Sequence, residues 1–279
     1  MTNNALDAHE YGLFCRYLEH RCGIVLGEHK QYLVRSRLSP LLAKFNQKSL
    51  SDLIKRTIAN HDVTLMNAVV NAMTTNETLW FRDSYPFEIL QQTLFPQLAK
   101  SGKSIRIWSA ACSSGQEAYS IAMSVLEYQA RHPGTFSAGI EIVATDISSD
   151  MLSVAKTGQY DNLSLSRGLS GERRARFFDT PAQGNCSVLK QNVRNMVSFR
   201  PINLLTPFPN LTRYDVVFCR NVLIYFSATS KVSILQKIAA CLQPEGALFV
   251  GASESLTGIT AEFTMNRSGS GLFYVKKTQ

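Results

Sequence analysis

The feature that most constrains the fold is an alternation, from residue 104 onward, of short β-branched runs with stretches of helical periodicity. Parallel strands need long crossover connections, usually helices, so this alternation is typical of a parallel sheet covered by helices. The sequence therefore predicts an α/β domain. The candidate strands are Ser104 to Ser109, Glu141 to Thr145, Val197 to Ile202, Tyr214 to Arg220, Ala247 to Gly251 and Leu272 to Lys276. The candidate helices are Gln116 to Arg131, Ser149 to Thr157 and Thr229 to Leu242, the last with Pro244, Glu245 and Gly246 as its stop signal.

The residues ahead of this domain have a different texture. From Ala8 to about Met73 the apolar residues recur at helical spacing, without any alternating β-type run, and a further helical stretch covers Ser84 to Lys100. The chain therefore begins with a helical unit. No acidic residue lies between Glu28 and Asp52, while several basic ones do. Two interpretations remain open for this basic run, a solvated helix face or a docking face for an acidic partner. Its basic residues are Lys30, Arg35, Arg37, Lys44 and Lys48.

One interval does not follow the alternation of strands and helices. From Gly158 to Asn195 the chain is longer than a plain connection between a helix and a strand requires. It carries a cluster of arginines, the pair Phe177 and Phe178, and a β-tending piece around Ser187 to Leu189. We expect a small inserted subdomain of low regularity here.

Composition narrows the class of protein. Hydrophobic residues make up 45% of the chain and charged residues 18%, which is ordinary for a globular protein with a real core. The first dozen residues are polar, and no run approaches the roughly 18 apolar residues of a membrane span, so we expect a cytosolic protein. The six cysteines form no C-x-x-C pair, which predicts buried thiols rather than a zinc site or disulfides. The net charge of +8 permits a nucleic acid, an anionic membrane or an acidic protein as partner.

The first strand of the α/β domain runs through a series of small residues into a helix, from Ile105 to Ala118. Small side chains let a backbone bend tightly and let a ligand approach it. Gly115 is the only glycine, whereas a dinucleotide fingerprint needs three, and no G-K-[ST] follows. Such a loop suits a cofactor without a pyrophosphate, and S-adenosylmethionine is the common one. A βα turn with nothing bound is the alternative.

Further polar residues fall at the carboxyl ends of the predicted strands, the edge where open α/β sheets bind ligands. Asp146 can accept two hydrogen bonds from ribose hydroxyls, and its alternative role is a helix cap. Asn203 offers a donor and an acceptor for an adenine edge, and Asn221 and Tyr225 would lie near the reacting groups. Both asparagines have a plainer interpretation as turn residues.

The segment from Thr74 to Arg82 precedes the α/β domain. One interpretation makes Thr74 to Glu77 a capping box that opens a helix, with the aromatic residues after it in the core. That interpretation leaves Asn76, Thr78 and Arg82 as a polar set at the domain junction. A cofactor held between two domains would need donors there.

Taken together, these segments resemble the CheR-type chemoreceptor glutamate O-methyltransferases. The resemblance covers nearly the whole chain in the right order. It is carried by T-T-N-E-T-L-W-F-R (74 to 82), W-S-A-A-C-S-S-G-Q-E-A-Y-S-I-A-M (108 to 123), A-T-D-I-S (144 to 148), I-N-L-L (202 to 205), F-C-R-N-V-L-I-Y-F (218 to 226) and P-E-G-A-L-F-V-G-A-S-E-S-L (244 to 256).

The resemblance implies a fold and a set of partners. The fold is a Rossmann-like class I methyltransferase domain with a mostly parallel seven-stranded sheet over residues 76–279, an inserted β-subdomain at about 158–196, and an all-helical receptor-docking domain over residues 1–75. The partners are the cytoplasmic helices of transmembrane chemoreceptors, served by a monomer that is recruited to receptor arrays without entering the membrane and without binding nucleic acid. The residues that it implies for cofactor binding are Asn76, Thr78, Arg82, Glu117, Asp146, Asn203, Leu204, Asn221 and Val222.

The same resemblance frames a hypothesis for the chemistry. S-adenosylmethionine would give its methyl group to a glutamate carboxylate, leaving S-adenosylhomocysteine, with no metal. Arg82 and Tyr225 would orient the reacting groups, and Arg35, Arg37 and Lys44 would dock the substrate. A nucleic-acid methyltransferase is a rival, but the prolines of [DN]-P-P-[FY] are missing from residues 220–223. A non-catalytic module that binds either form of the cofactor is a second rival.

Overall fold

The structure is a computed structural model that describes residues 6–59, 61–179, 185–208, 213–269 and 271–278. Its helices are α1 (Ala8–Cys22), α2 (Gln31–Lys44), α3 (Leu50–Ile58), α4 (Val63–Met73), α5 (Tyr85–Ile89), α6 (Phe95–Lys100), α7 (Gln116–Arg131), α8 (Ser149–Thr157), α9 (Asn162–Ser166), α10 (Gly171–Phe177), α11 (Gln191–Arg194) and α12 (Ala228–Cys241). A π-helical turn, Leu90–Leu94, joins α5 to α6, and a 3-10 turn, Leu223–Tyr225, precedes α12. The strands are β1 (Ile105–Ala110), β2 (Ile140–Asp146), β3 (Gln159–Asp161), β4 (Phe178–Asp179), β5 (Cys186–Leu189), β6 (Val197–Pro201), β7 (Tyr214–Cys219), β8 (Leu242–Phe249), β9 (Phe263–Ser268) and β10 (Gly271–Lys276).

Helices α1 to α4 pack on one another around their own hydrophobic core, as the helical spacing predicted. Asp7, Ser49 and Asp62 start three of these helices, and each side chain accepts a hydrogen bond from a backbone N–H of the first turn. The core side chains include Phe14, Leu18, Val34, Leu38, Leu53, Leu65 and Val69.

The main sheet has the strand order β6-β2-β1-β7-β8-β10-β9. The strands from β6 to β8 are parallel, while β10 pairs antiparallel with both β8 and β9. This confirms the expected mostly parallel seven-stranded sheet. The order reverses between β1 and β7, so a crevice opens at their carboxyl ends, where sheets of this kind bind ligands.

Strand β1 shows why the sheet is covered on both faces. Ile105 and Ile107 point into the core cluster that contains the buried side of α7. Trp108 and Ala110 belong to the opposite cluster, which contains the buried side of α12. Successive side chains of a strand point to opposite faces, so burial on both sides requires the apolar run seen in the sequence.

The sequence prediction was wrong at the antiparallel end of the sheet. β9 was not predicted, because most of its side chains are exposed and its sequence, F-T-M-N-R-S, has little apolar character. β8 begins at Leu242, directly after α12, and ends at Phe249 rather than Gly251. Pro244, Glu245 and Gly246 lie inside this strand, where the pairing with β7 shifts register, so they do not end the helix.

The interval after α8 contains a second sheet of order β3-β5-β4, which agrees with the expected insertion. Residues 180–184 of this interval lie outside the described residues. The insertion packs on Trp80, whose ring meets Tyr160 and Phe178 edge-on at centroid distances of 4.8 and 5.5 Å. Gly168 fits here because a Cβ would lie only 2.1 Å from the Trp80 carbonyl oxygen. Cys186 is exposed on β5, against the expectation of a buried thiol.

None of the helices in the described part of the chain combines the length and the apolar character that a bilayer-crossing segment requires.

Candidate active site

A cavity of about 360 Å³ opens at the carboxyl ends of β1, β2 and β7, between the sheet and the helical unit. The segment that links α1 to α2 and the segment that follows α4 form its other walls. The cavity is lined by every residue proposed above for cofactor binding or catalysis: Asn76, Thr78, Arg82, Glu117, Asp146, Asn203, Leu204, Asn221, Val222 and Tyr225.

The loop after β1 holds its shape through unusual backbone conformations. Ala111 and Ser113 have positive φ angles of 61° and 50°, which cost free energy in residues other than glycine and cluster at functional sites. Gly115 has a φ of 96°, and a Cβ there would lie 3.0 Å from the Ala155 side chain. The small residues of this loop are therefore required both by the turn and by the helix packed behind it.

Asp146 ties this loop to the end of β2. Its Oδ2 accepts the Ser113 backbone N–H at 2.7 Å, and its Oδ1 accepts the Ser148 N–H at 2.8 Å. Burial raises the pKa of the Asp146 carboxyl above its ordinary value, against the lowering effect of these two hydrogen bonds. Ser148, not Asp146, is the N-cap of α8, so the cap interpretation of Asp146 was wrong. A carboxylate has about four acceptor sites, so lone pairs remain for a ribose.

Arg220, at the end of β7, was missed in the sequence analysis. Its side chain is only 1% exposed and forms ion pairs with Asp83 at 2.6 Å and Glu117 at 3.0 Å. It also donates to the Arg82 carbonyl oxygen at 2.8 Å. Arg220 thereby joins the interdomain segment, residues 74–82, to the cavity wall. The available signal was an arginine placed directly after the apolar residues Val216 to Cys219.

Glu117 lies between Arg220 and β1. The Ser109 hydroxyl donates to its Oε1 at 2.7 Å, and Arg220 donates to its Oε2. Burial raises the pKa of the Glu117 carboxyl, and the nearby Arg220 charge opposes that rise. The side chain remains 12% exposed, toward the cavity it lines.

Glu254 is a second residue of the site that the sequence analysis did not identify. It does not line the cavity but supports a segment that does. Its Oε2 accepts the backbone N–H groups of Asn221 at 2.8 Å and Gly251 at 2.7 Å, and its Oε1 accepts that of Ile224 at 3.2 Å. Asn221 has a φ of 57°, and a Cβ on Gly251 would lie 2.6 Å from the side-chain Nδ2 of Asn221. One carboxylate thus fixes the cavity-lining segment that begins at Asn221.

The helical unit contributes directly to the cavity wall. The Val25 N–H donates to the Tyr225 carbonyl oxygen at 2.9 Å. The Asn203 amide donates to the Arg21 carbonyl oxygen at 2.8 Å, and its Oδ1 accepts the Leu205 N–H. One N–H and one lone pair of Asn203 remain for the adenine contact, which stays a prediction.

The proposed docking residues do not share one environment. Arg35 and Lys44 are exposed on α2 and lie outside the cavity lining. Arg37 is half-buried and lines the cavity; its guanidinium donates to the carbonyl oxygens of Met73 at 2.6 Å and Thr74 at 3.1 Å. Arg37 therefore supports the segment between the two units, and docking at this residue remains a prediction.

That segment, residues 74–82, does not open a helix. Thr74 is the C-terminal boundary of α4, and the next helix begins at Tyr85, so the capping-box interpretation was wrong. The Asn76 carbonyl oxygen accepts the Ser113 hydroxyl at 2.9 Å, and Arg82 donates to the Glu77 carbonyl oxygen at 3.2 Å. The segment lines the cavity as irregular chain followed by a turn.

Within the residues that the structure describes, no group of three or more His, Cys, Asp or Glu side chains is placed to hold a metal ion.

The sheet order, the small-residue loop after β1 and the acid at the end of β2 together define the class of Rossmann-like S-adenosylmethionine-dependent methyltransferases. Two family models match the chain: "CheR methyltransferase, all-alpha domain" over residues 9–74, and "CheR methyltransferase, SAM binding domain" over residues 76–271. The chain belongs to the CheR methyltransferase family.

Relatives that match most of this chain are named chemotaxis protein methyltransferases. The chain is 53% identical to chemotaxis protein methyltransferase 1 of Vibrio cholerae over 99% of this chain and 100% of that protein. It is 50% identical to chemotaxis protein methyltransferase 1 of Pseudomonas aeruginosa, over 96% and 98% of the two chains. Identity to the chemotaxis protein methyltransferase of Salmonella typhimurium is 34%, over 93% and 88%. The solved magnesium protoporphyrin IX methyltransferase of Synechocystis is only remotely similar, with a TM-score of 0.40 and 15% identity over 86% of this chain and 97% of that chain.

Proposed function

We propose that this methyltransferase transfers a methyl group from S-adenosylmethionine to glutamate side chains of chemoreceptors, forming methyl esters and S-adenosylhomocysteine. The observation that carries the proposal is the cavity. Residues from the helical unit, the interdomain segment and the ends of β1, β2 and β7 line it together. The chemotaxis names of relatives that match nearly the whole chain support the receptor as substrate.

A glutamate substrate fits the chemistry of this site. Its carboxyl group has an unperturbed pKa of about 4.3, so it is already an anion at neutral pH and needs no general base. When bound, the cofactor supplies an electrophilic methyl group on a positively charged sulfur. Transfer would join the carboxylate oxygen to this carbon with the neutral thioether sulfur as the leaving group, so the residues of the cavity would not have to move a proton. The protein's task is orientation, which is worth roughly 7–11 kcal/mol of barrier.

Arg82 and Tyr225 are the residues we assign to that task. Both side chains line the cavity, and each backbone is anchored, Arg82 by the hydrogen bond from Arg220 to its carbonyl oxygen and Tyr225 by the hydrogen bond from Val25. A guanidinium attracts a carboxylate and a phenol can donate to it. Asp146 would hold the ribose of the cofactor, and Glu117, Asn203 and Asn221 would hold its remaining polar groups.

Labelled S-adenosylmethionine, incubated with the protein and receptor-containing membranes, tests the proposal. We expect label in the receptor band that is released by mild base, because a carboxyl methyl ester hydrolyses readily and a methylated amine does not. Base-stable label would contradict a glutamate ester. Binding of the cofactor without any transfer would favour a regulatory module, and label in added RNA or DNA would favour the nucleic-acid rival.

The exposed basic residues of α2 are proposed to dock the acidic receptor helices. Replacing Arg35 with glutamate should raise the KM for receptor severalfold at low salt and leave cofactor affinity unchanged, because exposed charges guide association and do not touch the cavity. Initial rates of receptor methylation and calorimetry with S-adenosylhomocysteine measure the two quantities.

Lys103→Glu makes the matched control for this charge reversal. Lys103 is exposed just before β1, at the end of the sheet opposite the cavity, so its reversal changes the net charge equally without changing the docking face. Equal effects of the two variants would attribute the change to net charge and contradict docking on α2. The partner that we propose is the cytoplasmic part of a chemoreceptor, and we place the protein in the cytoplasm at receptor arrays.

A further inference from the structure

Three exposed apolar side chains lie around the mouth of the cavity. Val25, Tyr32 and Ile224 are 46%, 56% and 51% exposed, although each is large enough to favour burial. Val25 itself lines the cavity, and Ile224 precedes Tyr225, which also lines it. Tyr32 lies beside Lys30, another lining residue, whose Nζ is 3.4 Å from the phenolic oxygen. We name Val25, Tyr32 and Ile224 the apolar rim.

The rim is held by the same bonds that shape the cavity. The hydrogen bond from the Val25 N–H to the Tyr225 carbonyl oxygen, at 2.9 Å, joins the two chain segments that carry Val25 and Ile224. The Ile224 N–H is fixed by the Glu254 carboxylate at 3.2 Å. The side chains are thus presented on anchored backbone rather than on a loose loop. An exposed apolar group at the mouth of a site is a candidate contact for a partner.

The charges near the rim indicate what kind of partner fits. Lys30, the N-cap residue of α2, precedes Tyr32 by two residues, and Arg35 follows it by three, on the same side of the helix. Both side chains are exposed, and the chain has no acidic residue between Glu28 and Asp52. A surface that combines cations with apolar contacts complements an amphipathic helix that carries acidic residues.

We propose that the apolar rim packs against apolar side chains of the acidic receptor helix that presents the accepting glutamate. This inference rests on the proposed function and adds a second component to recognition. The cations of α2 attract the helix over a distance, and the rim fixes its position over the cavity. Salt weakens the first contribution but not the second, since the Debye length falls to about 3 Å at 1 M while apolar contacts are not screened.

The salt dependence of two variants separates these contributions. Ile224→Ala should raise the KM for receptor about three- to tenfold, by the same factor at low salt and at about 1 M salt. The effect of Arg35→Glu should shrink at high salt. Cofactor affinity of the Ile224 variant, measured by calorimetry with S-adenosylhomocysteine, should match that of the wild type, because this side chain does not line the cavity.

Met265→Ala is the control for loss of an exposed apolar side chain. Met265 is 48% exposed on the edge strand β9 and lies outside the cavity lining, so its variant should methylate receptor at the wild-type rate. An unchanged KM for Ile224→Ala, with wild type active, would overturn the rim and leave the proposed function standing. A wild type that methylates no receptor would overturn both the rim and the proposed function. An equal rise in the KM for receptor in Ile224→Ala and Met265→Ala would reject the rim alone.

Discussion

Replacing Arg220 with methionine is expected to lower the free energy of unfolding by about 3–5 kcal/mol, the usual cost of removing one partner of a buried ion pair. The Arg220 side chain is 1% exposed and neutralises Glu117, whose own side chain is 12% exposed. Methionine fills similar space but leaves the Glu117 carboxylate enclosed without its cation. Asp83 loses the same partner but is more solvated, so Glu117 should dominate the loss.

Thermal and chemical denaturation measure this effect. For a chain of this size each kcal/mol corresponds to about 2–4 °C in Tm, so the variant should melt roughly 6–20 °C lower. The double variant Arg220→Met with Glu117→Gln should recover a large part of the loss, because the uncompensated charge is gone. A single variant as stable as the wild type, or a double variant no better than the single one, would contradict the role given to this ion pair.

The sign of the pH dependence follows from Glu117. Its folded-state pKa is already raised by burial, and removal of Arg220 takes away the largest opposing effect. A raised folded-state pKa means that stability falls as the pH rises above the unfolded value, since only the folded state still holds the proton. The deficit of the Arg220 variant should therefore be small in acid, where Glu117 is protonated in both states, and grow toward neutral pH.

The sequence predicted the parallel half of the sheet better than the antiparallel half for a physical reason. Helices α7 and α8 begin and end at the predicted residues, since each has a clear apolar face and α8 lies between the N-cap Ser148 and the C-cap Gly158. β1 and β7 are buried on both faces and therefore stand out as apolar runs. β9 lies at the edge of the sheet and is largely exposed, so its sequence carries no comparable pattern.

The candidate site shows the same division between local and long-range information. The residues proposed for cofactor binding and catalysis stand in short motifs that sequence comparison with a family can locate. Arg220 and Glu254 act through partners far along the chain, and their hydrogen bonds join residues that only the folded sheet brings together. Arg37 shows what a local pattern of charge leaves out. A count of basic residues on α2 could not distinguish an exposed guanidinium from one that holds the Met73 carbonyl oxygen.

Replacing Asp146 with asparagine should weaken cofactor binding roughly 10- to 100-fold, which corresponds to the 1.5–3 kcal/mol of a hydrogen bond to a charged group. The carboxylate accepts the N–H groups of Ser113 and Ser148, one on each oxygen. An asparagine can satisfy only one of them and turns its own NH₂ group toward the other. The loop that carries Ser113 at a positive φ then loses its anchor, and the ribose loses an acceptor.

Calorimetry with S-adenosylhomocysteine measures this loss, and Asp150→Asn is its control, because Asp150 is exposed in the first turn of α8.

The pH profile of cofactor binding gives an independent check. Since the pKa of Asp146 is raised from 3.8, acidification should begin to protonate the carboxyl, and to weaken wild-type binding, at a higher pH than for an ordinary aspartate. The Asp146 variant has no such proton to gain, so its weak affinity should stay level across that range. Parallel pH profiles for the two proteins would place the titrating group elsewhere, and an Asp146 variant that binds as tightly as the control would remove the ribose assignment.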